Sequence, residues 1–83
     1  MAAKIVWTDE ARADIRSLDR GTAMSIFDRL YIYATTGKGG VKVLKGDYAG
    51  RSRLRVGDYR VIFRESGEIL RILRVRHRRE AYR

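Results

Sequence analysis

"RSRLRVGDYRVIFR", residues 51–64, is the stretch whose reading decides the fold. Apolar and charged residues alternate on both sides of Gly57-Asp58, and a Gly-X pair has the form of a two-residue hairpin turn. Closing the chain there pairs Val56 with Tyr59, Leu54 with Val61 and Ser52 with Phe63, so one face is apolar. Side chains alternate along a strand, and the opposite face therefore carries Arg55 beside Arg60, Arg53 beside Ile62 and Arg51 beside Arg64. Like charges directly opposite one another destabilise a strand pair by tenths of a kcal/mol to about 1 kcal/mol. Acids that could relieve them are sparse: Asp58 sits in the turn and Glu65 at the end of the hairpin. Such a bank makes physical sense if a phosphodiester neutralises it on binding; the plainer alternative is a solvated charged face.

Downstream, "ESGE" at 65–68 reads as a second turn and "ILRILRVRHRR" at 69–79 as a last strand, apolar enough in its first half to be covered on both sides. With simple pairing, Leu70 and Ile72 face the core and Arg74, Arg76 and Arg78 follow them inward, which three charges do not tolerate. A three-residue loop with a bulge at Gly67, or a bulge later in the strand, would shift these arginines onto the bank that holds Arg60, and the offset is the expectation.

Upstream, "KIVWT" at 4–8 reads as a first strand, and Thr8 followed by Asp9 and Glu10 as a helix start. Ala11, Ile15 and Leu18 recur at helical spacing before "DRG" at 19–21 breaks the pattern. A second helix is expected from about Thr22 to Thr35, with Ala23, Phe27, Leu30 and Ala34 on one face and Met24, Ile26 and Tyr31 flanking it. "TGKGG" at 36–40 ends the helical hairpin, and a short extended piece around Val41–Lys45 precedes a loop through Gly50. The order predicts one α+β domain over residues 1–83: strand, two helices, three strands, with the helical hairpin on one face of a mainly antiparallel sheet.

Composition narrows the function. The chain of 83 residues has no cysteine, so neither disulfides nor thiolate metal sites hold it together, which suits a reducing cytoplasm. No apolar run has the length of a secretion signal or a membrane span, so the expectation is a soluble, unprocessed protein with no membrane partner. Residues 1–50 hold 8 Lys/Arg against 6 acids, a balance of +2, whereas residues 51–83 hold 11 arginines against 4 acids, a balance of +7. Guanidinium forks match phosphate geometry and stay charged at physiological pH, which points to a polyphosphate partner.

Catalysis needs a separate argument. Cleaving RNA without a metal requires removing the 2′-OH proton, stabilising charge on the pentacoordinate phosphate and protonating the departing 5′ oxygen. Arginine suits the second task and holds its proton too tightly for the others. His77 and the tyrosines near the basic end are the available proton carriers, with His77 also readable as strand-end filler and Tyr82 as part of a frayed tail. The acids show no metal-ligand cluster, and "GKGG" lacks phosphate-loop spacing, so no cofactor and no metal are expected.

"GDYRVIFR" at 57–64 followed by "VRHRREAY" at 75–82 resembles the C-terminal signature of the RelE/ParE toxin superfamily of type II toxin–antitoxin pairs. "IVWTDEARADIRSLD" and "VKVLKGDYAGRSRLRVGDYR" are similar to its first strand and helix and to its middle. In the RelE-like branch this resemblance implies metal-independent endonucleolytic cleavage of mRNA on the ribosome, in the cytoplasm, with a cognate antitoxin as protein partner. It places the family's basic strand residues on Arg51 and Arg53, its "GYR"-type arginine on Arg60, the arginine of its terminal motif on Arg78, and its terminal tyrosine on Tyr82, as base or stacking platform. Better-known members carry lysines where Arg51 and Arg53 stand, and a glycine where Arg76 precedes His77. The expected catalytic residues are thus Arg53, Arg60, His77, Arg78 and Tyr82, and the expected RNA-binding residues Arg51, Arg55, Arg74 and Arg76. The ParE-like branch, which inhibits DNA gyrase, and a non-catalytic nucleic-acid-binding module are the alternatives.

Overall fold

The computed structural model describes residues 4–80. The elements are β1 (Lys4–Trp7), α1 (Asp9–Arg16), α2 (Arg20–Thr36), β2 (Val41–Val43), a short 3-10 turn (Gly46–Tyr48), β3 (Ser52–Val56), β4 (Tyr59–Ser66) and β5 (Ile69–His77). They form a sheet ordered β1-β5-β4-β3-β2, antiparallel except for the parallel pairing of β1 with β5. No helix among the described residues is long and apolar enough to cross a membrane.

Local chemistry sets the helix limits. Thr8 caps α1 by accepting the Ala11 amide, while Asp9 and Glu10 occupy the first turn and Arg16 the last. Asp19 caps α2 by accepting the Thr22 amide, so this helix begins at Arg20, two residues before the expected start. Gly37 ends it at φ 75°, a backbone conformation that glycine adopts without strain. The buried face of α2 is Ile26, Leu30 and Ala34; Phe27, expected inside, is partly exposed and meets Trp7 edge-on at 5.5 Å between ring centroids. Ile26 and Leu30 pack with Leu54, Val61, Phe63, Leu70 and Ile72 in the core between the helices and the sheet.

The hairpin register is the expected one, with Val56 opposite Tyr59, Leu54 opposite Val61 and Ser52 opposite Phe63. The second turn is tight: Ser66 faces Ile69 across Gly67-Glu68, so no offset arises there. The shift comes later. Phe63 faces Ile72 but Ile62 faces Arg74, leaving Leu73 as the extra residue of a bulge. Beyond it the phase is reversed, which buries Val75 with the core and sets Arg76 opposite Arg60.

Helix α1 holds this bulge from its open side. β1 pairs with β5 only as far as Ile72, so the rest of that edge has no strand beside it. The Thr8 hydroxyl donates to the carbonyls of Ile72, at 2.9 Å, and Leu73, at 3.2 Å. Six residues on, Asp14 accepts the Val75 amide at 2.8 Å and takes Arg74 in a two-pronged pair at 2.9 and 3.0 Å. Partial burial works against ionisation of Asp14, but the Arg74 and Val75 hydrogen bonds and the Arg74 charge outweigh it and hold the carboxyl below its usual range. A second link ties α2 to β4, where the Tyr33 hydroxyl donates to Glu65 at 2.7 Å. Burial first, and then Glu65, push the Tyr33 phenol up from 10.0 to about 12.

Both links give pH-dependent stability. Asp14 has a lowered folded pKa, so its contribution is complete above the unfolded value of about 4 and disappears as pH falls through the lower folded value. Asp14→Ala is expected to lower the unfolding free energy by about 1–3 kcal/mol at neutral pH, measured by denaturant titration, with the deficit narrowing below about pH 4. Tyr33 has a raised folded pKa, so its contribution is complete below 10.0 and is lost as pH rises toward about 12. A tyrosinate absorbance titration should contain one late-ionising tyrosine that is missing in Tyr33→Phe.

Candidate nucleic-acid interface

Strand register builds the site. Leu54, Val56, Val61 and Phe63 point into the core, so Arg53, Arg55, Arg60 and Arg64 project from the sheet face turned away from the helices. Across three strands the register aligns Arg55, Arg60 and Arg76 in one row, and Arg64 with Arg71 in another. Lys42 stands opposite Arg53 in β2. Every cross-strand partner in these pairs is basic. Neighbouring cations of this kind raise one another's energy and concentrate anions at the face.

Arg60 lies in the middle of its row and is buried, only 8% exposed. Its Nη1 donates to the carbonyls of Gly57 and Tyr59 at 3.2 and 3.0 Å, which folds the guanidinium back toward the turn and fixes its orientation. Arg51 sits at the margin, its guanidinium carbon 5.7 Å from the ring centre of Tyr48, within range of a cation–π contact.

The remaining expected residues are distributed differently. Arg74, expected on the RNA-binding bank, is held by Asp14 at the edge of β5, and this pairing strengthens its hold on its proton. Arg78 lies beside the hairpin turn: its amide donates to the Asp58 carbonyl at 2.7 Å, and its Nε is 3.9 Å from the exposed Asp58 carboxylate, a weak screened pair. His77 stands opposite Tyr59, on the side of the sheet that faces the helices, and its ring meets Tyr59 edge-on at 5.4 Å. Its Nδ1 accepts the Arg79 amide at 3.3 Å, which leaves Nε2 to carry the proton of the neutral ring. Neutral His77 in this arrangement presents a donor to its surroundings, and a general base there would first have to break the Arg79 contact. Tyr82 lies outside the described residues.

Arg71, absent from the sequence reading of the site, shares the basic face. The signal for it was present, since it lies between Leu70 and Ile72, both in the core. Among the described residues no group of three His, Cys, Asp or Glu side chains is placed to share a metal ion.

The family described as ParE toxin of type II toxin-antitoxin system, parDE, matches residues 5–82. No curated protein matches the sequence. Among solved structures, a chain of the RelBE2 toxin–antitoxin complex from Mycobacterium tuberculosis superposes with a TM-score of 0.83 at 24% identity, over 93% of this chain and 99% of that one. A chain of the archaeal RelE–RelB complex from Pyrococcus horikoshii OT3 does so at 0.76 and 23% identity, over 98% and 100%. YafQ from E. coli strain BL21(DE3) gives 0.71 at 15% identity, over 98% and 99%. At these identities the structural likeness is one of fold. Because the family match spans nearly the whole sequence, the chain belongs to the ParE toxin family of type II toxin–antitoxin systems, within the RelE/ParE superfamily.

Proposed function

We propose that this toxin is a metal-independent, ribosome-dependent endoribonuclease that cuts mRNA and so inhibits translation. The observation that supports it is the row of Arg55, Arg60 and Arg76, which the register aligns across three strands on one face of the sheet. A phosphodiester laid on that row meets three guanidinium groups, of which Arg60 is oriented in advance by its backbone contacts. Charge developing on the pentacoordinate phosphorus is then stabilised without reorganisation of the site.

In this reading Arg60 holds the scissile phosphate, because its backbone contacts orient it before substrate arrives. Arg53 and Arg55 clamp the strand from one side and Arg76 from the other, with Arg78 adding charge at the turn. Proton removal from the 2′-OH falls to Tyr82, the role the family resemblance gives it; the 2′ oxygen then attacks phosphorus as the bond to the 5′ oxygen breaks, and that oxygen takes its proton from solvent. Arg74 and His77 serve the architecture of β5: one secures its edge and the other packs on Tyr59.

The protein partner is a cognate antitoxin. Met24, Phe27 and Tyr31 recur along one side of α2 and are 48, 39 and 67% exposed, an apolar stripe that a protein segment would cover. An acidic segment of the same partner would neutralise the arginine face. The family name matched here favours a second reading, a ParE-like gyrase inhibitor that uses the same basic face for protein contact.

Purified toxin added to programmed ribosomes, and in parallel to a gyrase supercoiling reaction, separates the two. Site-specific mRNA cuts are expected, and Arg60→Ala should lower the single-turnover rate by about 10²–10³, the usual effect of losing one oriented donor to a charged transition state. Arg60→Lys keeps the charge without the fork and should remain impaired. Tyr82→Phe should abolish cutting while leaving ribosome association in place. Gyrase inhibition with intact mRNA would favour the second reading, and nucleic-acid binding with neither effect would mark a non-catalytic module.

A further inference from the structure

The basic face does not stop at the edge of the sheet. β2 pairs with β3 only from Ser52 to Leu54, so the edge of β3 at Arg55 and Val56 has no strand beside it. A cleft of about 520 Å³ opens there, lined by Arg29, Gly39, Gly40, Arg53, Arg55 and Gly57. Arg53 and Arg55 reach it from the sheet. Arg29 reaches it from α2, on the other side of the molecule, and its Nη2 donates to the Gly39 carbonyl at 2.9 Å. That bond anchors a partly buried guanidinium against the cleft wall.

Among the described residues the chemistry of the lining is one-sided: three guanidinium groups, three glycines and no carboxylate. Cations gathered in a concavity repel one another and focus a positive potential that an anion relieves. The glycines leave backbone bare on the remaining wall; Gly40, at φ 75°, has no atom within 4 Å of where a Cβ would stand. An anion can therefore approach the main chain closely. Among the described residues no aromatic or aliphatic side chain lines the cleft, so none of them stacks a base or anchors an apolar peptide residue there. The fit is to a phosphate group alone, recognised without regard to sequence.

We infer that the cleft between Arg29, Arg53 and Arg55 binds a backbone phosphate of single-stranded RNA, so that the strand crossing the arginine face continues over the open edge of β3 to α2. The inference rests on the reading of that face as an RNA site. It adds Arg29, from the half of the chain with little excess charge, as a phosphate contact distinct from the scissile position.

The probe is a 2′-O-methyl oligonucleotide, which binds but cannot be cleaved, added to the full-length protein over a series of salt concentrations. Arg29→Gln should weaken binding on the order of three- to tenfold at about 0.1 M salt, equally for different sequences, and flatten the log–log salt slope by about 0.7, the loss of one neutralised phosphate on a single strand. Arg29→Lys, which keeps the charge, should retain most of the slope. The Arg29 Nε–Hε resonance should shift during titration with the oligonucleotide. Wild-type binding with affinity and slope unchanged in Arg29→Gln would overturn this inference while leaving the RNA reading intact; no binding by the wild-type protein would remove both. An Arg29 resonance that moves with an acidic peptide and stays still with the oligonucleotide would also overturn it, and would assign the cleft to a protein partner.

Discussion

The arrangement depends on how an unpaired strand edge is satisfied. β5 outruns its neighbour β1 at Ile72, and an exposed edge there would leave backbone groups of a half-buried strand without partners. The two ends of α1 supply them: its cap, Thr8, takes the carbonyls at the early side of the bulge, and Asp14, in its last turn, takes the Val75 amide on the later side. One helix therefore holds both sides of the extra residue, Leu73. Without it, the alternation that buries Leu70 and Ile72 would carry Arg74 and Arg76 into the core. The bulge instead buries Val75 and turns Arg76 onto the face of Arg55 and Arg60. An interaction at the sheet edge thus determines which charges meet on the sheet face.

That face works against the stability of the strands that carry it. Arg55 against Arg60, Arg60 against Arg76 and Arg64 against Arg71 are adjacent like charges. They are tolerated because the other side of the same strands is a continuous apolar layer in which Leu54, Val61, Phe63, Leu70 and Ile72 are essentially inaccessible to water. Two acids that do engage arginines stand at the margins: Asp14 at the edge of β5 and Asp58 in the hairpin turn. The division suits a surface organised for an external polyanion, with internal pairing kept to the places where it secures backbone.

Most of the architecture could be read locally. Gly57-Asp58 fixes the β3–β4 register because a two-residue turn leaves no freedom in pairing, and the arginine face follows from alternation alone. The need for an offset in the last strand was legible from the implausibility of three inward arginines; its place was not, because it is set by Thr8 and Asp14, some sixty residues away in sequence. The same separation hid the pairing of Arg74 with Asp14 and the parallel contact of β1 with β5. In α2 the apolar residues populate more than one face, so periodicity did not distinguish Phe27 from Ile26, and packing against β3 and β4 made the choice. His77 was legible as a titratable group in a basic strand, but its side of the sheet depends on the phase after the bulge.

The central claim is that guanidinium groups from β3, β4 and β5 converge on one phosphodiester of a bound RNA. The most direct measurement is a cryo-EM structure of the toxin on a ribosome programmed with mRNA carrying a 2′-deoxy substitution at the cut site. The account predicts the helix-free sheet face against the mRNA, with a backbone phosphate in hydrogen-bonding reach of Arg60 and flanked by Arg55 and Arg76. A complex in which that face points away from the mRNA, or in which the phosphate is held by residues of another surface, would contradict it.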